Sequence, residues 1–122
     1  MVCVFARTID GNLTSLVKAI DKAVEKNASK RLCAFVVILT DDADSTAQKL
    51  TKLAEEHNID HVPLTLVEGP GPKSYNLNPE AEVTILLWKN TRVVKNFAYD
   101  STSDLTPKTI EKIVDAAESM VR

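Results

Sequence analysis

Two short, unbroken apolar runs, each followed by a stretch of helical periodicity, constrain this chain more than any other feature. Residues 2–6 (VCVFA) and 32–39 (LCAFVVIL) are too short for ordinary helices and too uniformly apolar for strands with one wet face. Runs of this kind are strands buried on both faces, as in parallel sheets. After the first run, Leu13, Leu16, Val17, Ile20, Ala23 and Val24 recur at helical spacing, with lysines and acids between them. After the second, Ala47, Leu50, Leu53 and Ala54 do the same. Two parallel strands joined by a helix require a right-handed crossover, so the pattern predicts β-α-β-α at the start of the chain.

The helix ends carry their own signals. Asn12 is the expected N-cap of the first helix, and Ser45 with Gln48 fits a capping box for the second, which His57 and Asn58 close. Residues 62–67 (VPLTLV) read as a third strand, and Pro63 assigns it to a sheet edge because proline has no amide to donate. Residues 68–79 hold three prolines and two glycines and read as a loop. Residues 83–88 and 92–99 form a hairpin around Lys89, Asn90 and Thr91. Lys95 and Asn96 suit the second strand of that hairpin to the other edge, and the proline and charge on the two edges argue against pairing with another chain. The last helix starts most clearly: Thr106 caps, Pro107 takes the first helical position, and Leu105 staples onto Ile110. Its apolar stripe is Ile110, Ile113, Val114, Ala117 and Val121.

Length and charge narrow the function classes. The 122 residues fit one domain, 1–122, which buries about two thirds of its unfolded surface and needs no staple. A net charge of −2 with no basic run excludes a strong nucleic-acid or anionic-membrane binder, and no apolar run reaches membrane-spanning length. Two cysteines are too few for a disulfide scaffold. With no leader visible, the default expectation is the cytoplasm; a chain trimmed from a longer precursor would instead be extracytoplasmic. No cofactor is expected.

The order β-α-β-α-β-β-β-α, with VCVFAR leading into a helix and EVTILLWKNTRVVKNFAY as a late hairpin, resembles the thioredoxin superfamily. The segment VPLTLVEGPGPKSYNLNPEAE ahead of the hairpin is similar to the redoxin or peroxiredoxin-like branch. The resemblance implies an α/β, three-layer α/β/α thioredoxin-like fold: a five-stranded mixed sheet with helices on both faces. That family keeps its reactive thiols in the loop between first strand and first helix. Aligned on the strand, the paired-cysteine positions fall near Ile9 and Asn12, and neither has a thiol to attack a disulfide or peroxide. Thr8 offers a hydroxyl, with no histidine nearby in sequence as its base. The family's cis-proline position falls at Val83, before Thr84, where a cis peptide costs roughly 3 kcal/mol and trans is expected.

This paired replacement implies a redox-inactive domain with a binding, scaffolding or accessory role. Its candidate ligand cleft lies between Arg7, Thr8, Ile9, Asp10 and Asn12 on one side and Glu82, Val83 and Thr84 on the other, with a protein partner or peptide as occupant. Two other readings stay open. The first is a thiol peroxidase or disulfide oxidoreductase using Cys3 or Cys33, or a cysteine in a segment ahead of this chain. Both present cysteines are expected in buried strands, where packing is the ordinary role, and too far out of step for a disulfide. The second is a Mg²⁺ site built from Asp10, Asp41 and Asp42, with Asp44 nearby, since carboxylates at the carboxyl ends of parallel strands suit a hard cation. The duller reading of those aspartates is helix capping. Arg7 is expected to form an ion pair with Asp10 or Glu82, His57 and His61 to be surface residues, and Trp88 and Tyr99 to pack on strands. Gly69, Pro70, Gly71, Pro72 and Lys73 read as a stiff surface turn, because prolines remove the amides an anion loop needs.

Overall fold

Strand directions follow from the crossovers. The computed structural model describes residues 1–30, 32–69, 81–89 and 92–120. It contains β1 (Val2–Ala6), α1 (Gly11–Lys26), β2 (Ala34–Thr40), α2 (Ala43–His57), β3 (Leu64–Glu68), β4 (Val83–Lys89), β5 (Arg92–Tyr99) and α3 (Pro107–Ser119). Short 3-10 turns occupy Ala28–Lys30 and Thr102–Asp104. The strands form one mixed sheet in the order β3-β2-β1-β4-β5. β1, β2 and β3 are parallel, and β4 and β5 run antiparallel to them. Both expected edge strands are therefore edges. The proline-rich stretch at 70–80, the hairpin tip at 90–91 and Val121 lie outside the described residues.

The expected helices on both faces are corrected. Side chains alternate along each strand, so register assigns every residue to a face. Val2, Val4 and Ala6 share one face with Val36, Ile38, Val83, Ile85 and Leu87, and the buried apolar residues of α1, α2 and α3 all pack there. Cys3, Phe5, Val37, Leu39 and Leu86 occupy the opposite face, with Phe35 and Trp88 partly buried beside them. Among the described residues no helical side chain joins that second cluster. The chain steps in one direction from β1 to β2 to β3, and two right-handed crossovers in one direction place both helices on the same side. α3 joins that side beside α1, where Asn27 Nδ2 donates to Glu118 Oε2 at 3.0 Å.

Two caps are also corrected. α1 begins at Asp10, which is extended and whose carboxylate accepts the Leu13 amide at 2.9 Å; Asn12 lies two residues on, within the first turn, and is exposed. α2 begins at Asp42, which accepts the Ser45 amide at 3.1 Å, so Ser45 is within the helix. In both cases an aspartate preceding the expected cap reaches the free amides first. α2 closes at Asn58 in the left-handed region, and Thr106 and Pro107 begin α3 as expected. No helix among the described residues is long and apolar enough to cross a membrane.

Candidate functional site

The carboxyl end of β1 is tied down by a network of polar contacts. One Asp10 carboxylate oxygen accepts from the Leu13 amide, and the other accepts from the Thr102 hydroxyl, 92 positions away in the chain. Thr102 is buried, and its amide donates to Glu82 Oε1 at 3.3 Å. The Arg7 amide donates to the Glu82 carbonyl at 2.9 Å, and Arg7 Nε to the Ala81 carbonyl at 3.1 Å. The start of α1, the end of β1, the start of β4 and the 102–104 turn are thus fastened together.

This geometry gathers most of the expected cleft residues but uses them internally. Asp10 and Glu82 are half-buried and bonded to Thr102. Val83 and Thr84 are buried on opposite faces of the sheet. Thr8 and Asn12 are exposed and Ile9 packs against the helix-side core. No cis peptide bond occurs among the described residues, so Val83 is trans as expected. The expected Arg7 ion pair is corrected: no carboxylate lies within ion-pair distance of Arg7 among the described residues, and its Nε donates instead to the Ala81 carbonyl.

An open space lies next to the network rather than within it. A cavity of about 440 Å³ is bounded by Arg7, Leu39, Thr40, Asp41 and Gly69, at the carboxyl ends of β1, β2 and β3. The carboxyl ends of parallel strands are where open α/β sheets bind ligands, and the chain reverses its direction across the sheet beside β1. Thr40 shapes the floor: its hydroxyl accepts the Asp42 amide at 3.0 Å and the Thr46 hydroxyl at 2.8 Å. Arg7 and Asp41 place opposite charges on the wall.

The three aspartates of the Mg²⁺ reading do separate work: Asp10 and Asp42 cap helices, and Asp41 lines the cavity. No group of three or more histidine, cysteine or acidic side chains among the described residues is arranged to hold a metal ion. His61 is exposed with Nε2 3.9 Å from Glu25 Oε2, and its amide donates to the buried Asp21 carboxylate at 2.7 Å.

The cysteines part company. Cys3 is buried on the helix-free face, and burial pushes its thiol up from an ordinary 9.0 to about 11. Cys33 is corrected from buried strand to exposed residue: β2 starts at Ala34, and Cys33 only receives the Val2 amide on its carbonyl. It lies at the amino end of the strands, the pole opposite Asp10. Both are free thiols, and Cys3 is in register with Phe35, two residues past Cys33. Trp88 packs on the helix-free face and Tyr99 on the helix side; burial, then the nearby Asp104 carboxylate, raise the Tyr99 hydroxyl above its usual range.

Thr102 was not singled out by sequence reasoning, and Gly69 only as part of a surface turn. Thr102 belongs to a polar run (DSTSD) that looks like any surface turn. Comparison with known protein families and with curated proteins finds no family pattern and no individual protein that matches the chain.

Proposed function

We propose that this is a thioredoxin-like domain that works by binding and carries no thiol redox chemistry. The strand directions and the late antiparallel hairpin support the scaffold part of this reading, whereas the one-sided helical layer departs from the three-layer arrangement of that family. The observation that carries the functional part is Asp10. At the helix start, where a redox-active relative needs a low-pKa thiol stabilised by free amides, a carboxylate takes the Leu13 amide and a buried threonine hydroxyl. Neither cysteine substitutes for it: one is buried with a raised pKa, and the other sits at the far pole of the sheet. The binding surface in this reading is the carboxyl-end cavity, where the Arg7 guanidinium meets an anionic group and Asp41 a donor or cation on the same small ligand.

The test is insulin reduction and peroxide turnover by the intact chain, alongside Cys3→Ser and Cys33→Ser. All three proteins are expected to match the protein-free rate. Turnover that disappears in either variant would overturn the reading.

A further inference from the structure

The largest concavity described is a groove of about 610 Å³ between α2 and the edge strand β3. Leu64 and Leu66 form its floor, half-buried and packed on the core. Ala47, Thr51 and Ala54 line the helix side with short side chains, leaving the groove shallow and open along its length. The charged groups on its rim are Glu55 and Asp60, with His61 beside them and no lysine or arginine.

The backbone beside this groove is exposed in a definite register. The Pro63 carbonyl accepts from the Val36 amide at 3.0 Å, and the Gly69 amide donates to the Thr40 carbonyl at 3.2 Å. Residues 63 and 69 therefore face β2. Successive residues of a strand turn their amide and carbonyl to alternate sides, so Leu64, Leu66 and Glu68 turn theirs outward. Among the described residues no strand lies beyond β3. Pro63, expected to guard this edge, falls one residue before the strand and leaves those three positions unblocked. The strand itself, LTLVE, holds no lysine or arginine. β5, at the other margin, carries Arg92 and Lys95 and pairs with β4 through a register shift at Leu87 and Trp88, two devices that discourage edge pairing.

We propose that β3 and the α2 groove together receive an extended, basic segment of a partner protein, added to the sheet as a sixth strand. Main-chain bonds form to Leu64, Leu66 and Glu68, and alternate apolar side chains of the segment enter the groove over Leu64 and Leu66. A lysine or arginine flanking them meets Glu55, Asp60 and Glu68. Charge selects this occupant over a second copy. A two-fold pairing of β3 with itself about Leu66 sets Glu68 of one copy opposite Leu64 of the other, at the end of the groove that already holds Asp60. Like charges meet there. This inference does not depend on the absence of thiol chemistry, so the turnover assay and the experiment below fail independently.

The probe is the synthetic peptide Lys-Val-Thr-Val-Thr-Val-Lys, titrated into the isotope-labelled full chain with amide shifts and hydrogen exchange as readouts. Shifts are expected along β3 and the groove side of α2, with exchange slowed at Leu64, Leu66 and Glu68 more than at Thr65 and Val67. The same peptide with glutamates for lysines, or N-methylated at alternate amides, is expected to bind at least about tenfold more weakly. Thr51→Trp, an exposed position that fills the groove, and Glu55→Lys should each weaken the parent peptide while leaving the unbound spectrum folded. Shifts centred elsewhere, no saturable binding, indifference to peptide charge, or a β3-mediated dimer by sedimentation would each overturn the proposal.

Discussion

Leu86 and Leu87 are neighbours in β4, both almost entirely buried, and they belong to different interiors. Leu87 faces the three helices, among Val2, Leu16 and Ile113 of the larger core. Leu86 faces away, in a small cluster with Cys3, Phe5, Val37 and Leu39 to which no described helix contributes. One strand therefore lies between a deep core, built with amphipathic helices that bury their stripes there, and a shallow one to which only the sheet contributes among the described residues. The difference shows that continuous apolar strands report burial on both faces without saying what covers each.

The same substitution on the two faces tests this directly. Leu87→Ala is expected to cost about 3–5 kcal/mol, and Leu86→Ala nearer about 2, because a site without a rigid helix above it collapses more easily around the lost side chain. Urea denaturation of the two variants would measure the gap; equal costs, or the reverse order, would break the distinction. Next in size is Asp10→Ala, which removes the cap of α1 and leaves the buried Thr102 hydroxyl without its acceptor. We expect a loss of about 2 kcal/mol, with Asp10→Asn recovering part of it. A negligible loss would show that the polar network does not anchor the helical layer.

A smaller effect belongs to the helix-free face. The folded state holds the Cys3 proton more tightly than the unfolded chain does, so this contribution to stability is complete below pH 9 and declines between about 9 and 11. Unfolding midpoints across that window should fall less steeply for Cys3→Ala than for the parent chain. The smallest effect is at the amino pole: Cys33→Ser should change stability by less than about 0.5 kcal/mol, since the side chain is exposed. Alkylation of the native protein should modify Cys33 well before Cys3, and simultaneous labelling would mean that the shallow cluster opens readily.

Much of this was legible in sequence because it rests on local pattern. Continuous apolar runs located β1 and most of β2, the 3.6-residue stripes located three helices, and Thr106 with Pro107 fixed the start of α3 to the residue. The misses have a common physical character. Asp10 and Asn12 are both good caps by composition, and only the path of the loop decides which carboxylate or amide reaches the first turn. Cys33 sits in an apolar run, but the run begins before the strand does. The sidedness of the helices follows from the direction in which the crossovers step across the sheet, which no single segment encodes. At the site, residues 7–12 and 82–84 lie side by side because β1 pairs with β4, yet Thr102 joins them across most of the chain, and no periodicity or spacing marks such a contact.

β1 lies at the centre of the sheet, flanked by β2 on one side and β4 on the other. It is also synthesised before both of its partners. Val4 can pair with Val36 soon after, but its partner Ile85 and the Thr102 hydroxyl that bonds Asp10 are made only much later. A nascent chain halted before β4 would hold its most apolar strand with one margin open. Such an intermediate invites capture by chaperones or by its own copies. Folding should accordingly wait for the hairpin, and truncations that remove α3 and the 102–104 turn should abolish cooperative unfolding before any strand is lost.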